Sequence, residues 1–128
     1  MTILSFDYGR KKLGVAFSNG SLADPLVVLR GDTREELLKK ALDVISVEKP
    51  QRLVVGLSER DIAVEAEEFG RELELLSHVK VSFVDETLST FDANQLAIAS
   101  GMRRKKRHDM EDAFSAAVIL QRYLDSVA

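Results

Sequence analysis

The chain has 128 residues, of which 45% are hydrophobic and 30% are charged, and its formal net charge is −3. These values argue against a disordered chain, and the length suits a single domain over residues 1–128. Apolar stretches fall well short of the roughly 20 residues that a membrane span needs. Cysteine is absent, which excludes disulfides and thiolate metal sites, and the start lacks the features of a signal peptide. A cytoplasmic protein without a membrane partner is therefore expected.

An antiparallel meander of three strands is predicted at the start of the chain. Residues 2–8 are rich in β-branched and aromatic side chains, and a short turn at 9–12 leads into a second strand at 13–18. A connection of this length joins antiparallel neighbours. Pro25 opens a third short strand over 26–30.

Helices and strands then alternate. Thr33 and Glu36 have the spacing of a capping box, which begins a helix that Pro50 separates from an apolar strand at 52–57. The following elements are predicted as helix, strand, helix and helix, over 62–76, 79–85, from 89 or 90 to Gly101, and about 109–124. In the first of these helices the residues expected to face inward are Val64, Phe69, Leu73 and Leu76. The order predicts an α/β fold whose mixed five-stranded sheet combines the antiparallel meander with two parallel strands and is flanked by helices.

Acidic residues occur at the ends of two predicted strands. Asp7 is disfavoured in an apolar strand, so it is either a turn carboxylate bonded to the Gly9 loop or a metal ligand. Asp85 and Glu86 follow the strand at 79–85, and alternation sends them to opposite faces. At most one of them points toward a given site, and the pattern does not choose between them.

A third carboxylate, Asp112, lies at the start of the last helix. It begins a row that is otherwise largely apolar and continues through Ala116, Ile119 and Tyr123. Asp109 and Asp112 equally resemble a capping pair stabilised by the helix dipole. Separated carboxylates of this kind form the oxygen-only ligand set that Mg²⁺ or Mn²⁺ prefers, and two such ions can promote phosphodiester hydrolysis.

Two basic segments favour a nucleic-acid partner despite the negative net charge. They consist of Arg10, Lys11 and Lys12, and of Arg103, Arg104, Lys105, Lys106 and Arg107. The second is either a plain charged surface loop or a loop that neutralises phosphates, and its position just before Asp112 favours the latter. No aromatic residue interrupts the run, so base stacking and sequence-specific reading are not expected.

Several segments resemble the YqgF/RuvX proteins, described as Holliday-junction-resolvase-like and as nucleases maturing the 5′ end of small-subunit ribosomal RNA. Residues 6–16, with the sequence FDYGRKKLGVA, are similar to the opening motif of that family. Residues 54–57 are similar to the second landmark, 84–90 to the third, and Asp112 with 116–120 to the fourth. The landmarks follow the family's order over nearly the whole chain.

The resemblance implies a ribonuclease H-like fold and a particular site. Catalysis and metal ligation are assigned to Asp7, to Glu86 rather than Asp85, and to Asp112 rather than Asp109. The implied cofactor is Mg²⁺ or Mn²⁺, and the implied partner is structured RNA, including a ribosomal precursor particle, or branched DNA. The protein is expected to act as a monomer or homodimer.

Two departures from the family pattern concern substrate contacts. The loop at 58–61 is shorter and more acidic than is usual, and Thr87 replaces a frequent arginine. The expected function is a metal-dependent endonuclease that processes the 5′ end of pre-16S rRNA. The alternatives are a Holliday-junction resolvase and a non-catalytic nucleic-acid-binding module of the same fold. A sugar-kinase or actin-like nucleotide-binding protein is disfavoured because the chain is too short for a second lobe.

Overall fold

The computed structural model describes residues 1–57, 60–85 and 109–127. The elements within these ranges, in chain order, are β1 (Ile3–Tyr8), β2 (Lys12–Ser18), β3 (Ala23–Arg30), α1 (Arg34–Glu48), β4 (Arg52–Leu57), α2 (Arg60–Ser77), β5 (Val81–Asp85) and α3 (Glu111–Val127). The helix predicted between residue 89 and Gly101 lies outside the described residues.

The strands form one mixed sheet in the order β3-β2-β1-β4-β5. β1 pairs antiparallel with β2, and β2 pairs antiparallel with β3. β4 lies parallel to β1 on its other side, and β5 lies parallel to β4. The predicted combination of an antiparallel meander with two parallel strands is therefore confirmed.

The third strand begins earlier than predicted. Pro25 was expected to open it, but Pro25 lies inside it. β3 starts at Ala23, and Pro25 is the partner of Ala16 at a register shift in the ladder. A proline is tolerated there because β3 is an edge strand, where a missing N–H need not interrupt a second ladder.

The two faces of the sheet carry separate cores. One face packs against α1 and α2, and its fully buried side chains include Phe6, Leu37, Leu53, Phe69 and Leu73. The other face packs against α3, where Ile3, Ala16 and Val54 meet the buried side chains Ala116, Ala117, Ile119 and Leu120. The hydroxyl of Ser5 donates a buried hydrogen bond of 2.7 Å to the Ala116 carbonyl, which ties β1 to α3.

The helices confirm most of the predicted local signals. Thr33 caps α1 by accepting a hydrogen bond from the Glu36 amide at 3.2 Å. In α2 the prediction for two residues is wrong: Val64 is 58% exposed and Leu76 is 52% exposed. The buried stripe of α2 runs through Ala66, Phe69, Gly70 and Leu73, and Val64 lies off this stripe whereas Leu76 belongs to the last turn. None of the helices in the described ranges is long and apolar enough to cross a membrane.

Candidate active site

Asp7 lies near the carboxyl end of β1 and is half-buried. Its partners in the ladders on either side are both glycines, Gly14 of β2 and Gly56 of β4. Paired residues of neighbouring strands project to the same face. The Asp7 side chain is therefore not crowded by a side chain from either adjacent strand at its own level. The Gly9 amide, the donor expected if Asp7 were a turn carboxylate, donates to the Lys12 carbonyl at 2.9 Å.

The start of α3 packs directly on Gly14. A Cβ atom built on Gly14 would lie 1.9 Å from the carbonyl oxygen of Asp112 and 2.9 Å from the amide nitrogen of Ala113. Only a glycine permits this approach. Because Gly14 is the ladder partner of Asp7, the contact brings the backbone of Asp112 over the same part of the sheet face as the Asp7 side chain. The structure thus places two of the three predicted carboxylate residues on the same part of one sheet face.

Asp112 has structural features of both alternatives that the sequence left open. The row that it begins is buried at Ala116 and Ile119 and partly buried at Tyr123. Asp112 also lies in the first turn of α3, where the helix dipole stabilises a negative charge. Asp109, the other member of the predicted capping pair, precedes the helix and is exposed.

The register of β5 separates Asp85 from Asp7. Val84 is the partner of Gly56, so Val84 lies on the same face as Asp7, whereas Asp85 is the partner of Leu57 and lies on the opposite face. Asp85 is therefore not a neighbour of Asp7 on the α3 face. Its rival Glu86 lies outside the described residues, as do Thr87, the predicted loop residues 58 and 59, and the basic residues Arg103 to Arg107.

The donor chemistry of Asp7 and Asp112 suits a hard divalent cation. Both supply carboxylate oxygens, which Mg²⁺ and Mn²⁺ prefer, and Gly56 places no side chain beside Asp7 on that face. Across the ranges that the structure describes, no group of three or more His, Cys, Asp or Glu side chains is close enough to form a metal site. A third protein ligand would therefore have to come from a residue such as Glu86.

The three cations of the β1–β2 turn have different surroundings. Arg10 forms an ion pair with Glu65 of α2, its Nη2 lying 2.8 Å and its Nε 3.1 Å from Oε2. Lys12 lies toward the α3 face, with Nζ 3.7 Å from Oδ2 of Asp112. Lys11 is exposed to solvent. All three were expected to bind nucleic acid, and Lys12 is in contact with a predicted catalytic carboxylate, Asp112.

The Arg10–Glu65 pair also perturbs ionisation at this end of the sheet. The hydrogen bond from Arg10 lowers the pKa of Glu65, and the same bond raises the pKa of Arg10. Glu65 Oε1 also accepts a hydrogen bond of 3.5 Å from the hydroxyl of Tyr8. The pKa of Tyr8 is raised, mainly by burial and then by the negative charge of Glu65.

Replacing Glu65 by glutamine should lower stability in a pH-dependent manner. Because the folded protein lowers the pKa of Glu65 below its ordinary value of 4.5, its ionised form stabilises the fold above that value. This contribution is lost as the pH falls through the lowered pKa. Thermal denaturation should therefore give a lower midpoint for Glu65→Gln than for the parent protein at neutral pH, and the gap should narrow as the pH is lowered below 4.5.

A matched control is Glu67→Gln, which removes the same charge from α2. Glu67 pairs with Arg71 one turn away on the same helix, and this contact does not reach the β1–β2 turn. Such a pair typically contributes only a few tenths of a kcal/mol. An equal, pH-independent midpoint shift in both variants would contradict a specific role for Glu65.

Three residues of this region are not among the predicted site residues, although the sequence carries a signal for two of them. Gly14 and Gly56 lie inside strands, and a glycine there commonly marks a close approach of another backbone or of a ligand. The third, Glu65, belongs to an acidic helix face, and nothing in the sequence predicts that it pairs with the distant Arg10. Only the tertiary structure brings that pair together.

A five-stranded mixed sheet with this strand order, with helices on both faces and carboxylates on the α3 face, defines a ribonuclease H-like protein. The fold is similar to that of T. thermophilus RuvC in complex with a Holliday junction substrate, with a TM-score of 0.66 and 15% identity over 98% of this chain and 96% of that one. It is also similar to the fowlpox virus Holliday junction resolvase, with a TM-score of 0.70 and 14% identity over 100% of both chains.

The sequence comparisons identify the family. The chain belongs to the RuvX family, whose model, described as Holliday junction resolvase, matches residues 1–126. A protein of Burkholderia cenocepacia (strain HI2424) named "Putative pre-16S rRNA nuclease" is 37% identical over 135 residues, which cover 99% of this chain and 91% of the relative. A protein of the same name from Burkholderia multivorans (strain ATCC 17616 / 249) is 36% identical with the same coverage. The predicted resemblance is confirmed.

Proposed function

We propose that this chain is a single-domain, divalent-metal-dependent endonuclease that hydrolyses phosphodiester bonds in structured nucleic acid in the cytoplasm. The observation that carries the proposal is the juxtaposition of Asp7 and Asp112 on one face of a ribonuclease H-like sheet. Both positions match the catalytic positions implied by the family motifs. Carboxylates gathered on one face of a sheet favour the binding of a cation there, and a divalent ion is the cation that a nuclease site of this kind uses.

The residues that would hold the metal are Asp7, Asp112 and Glu86. Mg²⁺ or Mn²⁺ bound to such oxygen ligands activates water and neutralises charge on the phosphate. Asp7 is held by β1 between two other strands, and Asp112 is held by the contact between α3 and Gly14. Sites built on strands and helices hold their side chains more precisely than sites built on loops.

The favoured substrate is precursor ribosomal RNA. Relatives that are 36–37% identical over 99% of the chain carry the name of a pre-16S rRNA nuclease, which supports RNA. Branched DNA is the second candidate, because the family model bears the description Holliday junction resolvase. We propose that Lys11, Lys12 and the basic segment Arg103, Arg104, Lys105, Lys106 and Arg107 bind the phosphate backbone, with Arg10 contributing if its pair with Glu65 opens.

A side-by-side cleavage assay tests this function. A pre-16S rRNA fragment and a four-way DNA junction would be incubated with the protein in Mg²⁺, in Mn²⁺ and in EDTA. We expect metal-dependent cleavage with the RNA as the better substrate. Cleavage that persists in EDTA would refute the metal mechanism, and binding of every substrate without cleavage would favour a non-catalytic module.

Paired variants at the start of α3 assign the activity to the proposed site. Asp112→Asn should reduce cleavage by about 10³-fold, since even indirect partners of metal ligands commonly contribute 10–100-fold. Asp109→Asn removes the same charge from an exposed position just before the helix and should retain cleavage. The reverse order of activities would show that the assignment to Asp112 is incorrect.

A further inference from the structure

Lys12 contacts the carboxylate site, and two independent features of the fold bring it there. Lys12 precedes Gly14 by two residues in β2, so strand alternation directs its side chain to the face that carries Asp7. The contact of α3 with Gly14 then brings Asp112 to the same strand. The result is the distance of 3.7 Å between Nζ of Lys12 and Oδ2 of Asp112.

The backbone around Lys12 is held, whereas its ion pair is weak. The Gly9 amide donates to the Lys12 carbonyl at 2.9 Å, and the Gly31 amide donates to the Lys11 carbonyl at 3.1 Å. The side chain of Lys12 is 50% exposed and that of Asp112 is 35% exposed. Exposed ion pairs contribute little stability. A lysine with a held backbone and a loosely bound ammonium can change partner without disturbing the fold.

We propose that Lys12 is a further catalytic residue of this site, an inference that rests on the proposed function. Its ammonium neutralises Asp112 in the metal-free protein and, when Asp112 holds a divalent cation, donates hydrogen bonds to the phosphate being cleaved. Lysine suits this role because it is a compact charge with three donors on a flexible stem. Its neighbours do not share the role, since Arg10 is paired with Glu65 and Lys11 is directed to solvent.

The first test measures metal binding without nucleic acid. Titration calorimetry with Mg²⁺ on the full chain would compare the parent protein with Lys12→Gln. Removing a positive charge that competes for Asp112 should tighten Mg²⁺ binding by about fivefold. Lys11→Gln removes the same charge from the adjacent residue of the turn and should leave the Mg²⁺ affinity within about twofold.

The second test measures the rate constant and the affinity for nucleic acid separately. In single-turnover cleavage of the rRNA fragment, Lys12→Gln should lower the rate by about 10²-fold. Its affinity for the same RNA in Ca²⁺ should change by about threefold or less, since one phosphate contact among several is lost. Lys12→Arg should restore the parent Mg²⁺ affinity and part of the rate. The control is Lys39→Gln on the exposed surface of α1, which should retain both values.

The outcomes separate this inference from the proposed function. Equal Mg²⁺ affinities of the parent and Lys12→Gln proteins, or an unchanged cleavage rate in Lys12→Gln, would overturn the role of Lys12 while the parent enzyme remains a nuclease. A parent protein that neither binds Mg²⁺ nor cleaves any substrate would overturn the proposed function and this inference with it.

Discussion

Asp7→Asn should abolish metal-dependent cleavage, with a loss of about 10³-fold or more, while the protein remains folded. The amide is nearly the same size as the carboxylate but offers one weakly coordinating oxygen and no charge. Because Asp7 lies on the same face of the sheet as Asp112, its replacement also lowers the density of negative charge on that face. We therefore expect a thermal midpoint that is unchanged or raised.

The measurement for Asp7→Asn combines cleavage kinetics, Mg²⁺ titration and thermal denaturation on the same preparation. Asp24→Asn is the matched control, because Asp24 is an exposed aspartate of β3. It should retain cleavage and Mg²⁺ affinity. Cleavage by Asp7→Asn at the parent rate would show that the carboxylate is not part of the catalytic site. A lowered midpoint together with lost activity would instead indicate a structural role for Asp7.

The sheet was predictable because its signals are local. The short turn between β1 and β2 permits only antiparallel pairing, and the apolar run of β4 is typical of a strand buried on both faces. The cap at Thr33 depends on residues within one helical turn. Where the sequence signal is a property of neighbouring residues, prediction and structure agree to within a few residues at each boundary.

The choice between Asp85 and Glu86 depends on how β5 is aligned with β4, and this register cannot be read from the sequence. A shift of one residue in the pairing of β4 with β5 would move Asp85 to the face of Asp7. The observed pairing of Asp85 with Leu57 directs it to the other face. This result removes Asp85 from the candidates on the α3 face and is compatible with the family assignment, in which Glu86 remains a proposed ligand.

The division of roles within the basic turn likewise depends on distant partners. Arg10, Lys11 and Lys12 are equivalent in sequence, where they are only a run of cations. Arg10 meets Glu65 from a helix more than fifty positions along the chain, and Lys12 meets Asp112 from the last helix. These contacts exist because α2 and α3 pack on opposite faces of the sheet. Composition can identify such a basic segment, but only the packing of the helices determines which partner each basic side chain meets.

Gly14→Ala should both destabilise the protein and separate the two carboxylates. The new Cβ would lie 1.9 Å and 2.3 Å from the carbonyl oxygen and carbon of Asp112. These are backbone atoms at the start of a helix, so the clash cannot be relieved by a side-chain rotation and α3 must move away from β2. We expect a loss of about 3 kcal/mol in the free energy of unfolding, at the upper end of the usual cost of overpacking. Mg²⁺ affinity should fall by about tenfold or more.

Gly70→Ala distinguishes the loss of the site from a general loss of stability. Its Cβ would lie 2.6 Å from Cε1 of Phe83, a contact between α2 and β5 on the face opposite Asp7. Because the obstacle is a partly exposed ring, the destabilisation should be smaller and the Mg²⁺ affinity should be retained. Urea denaturation and Mg²⁺ titration of both variants provide the test. If both variants lose Mg²⁺ affinity in proportion to stability, the contact of α3 with Gly14 has no specific role in holding Asp112 beside Asp7.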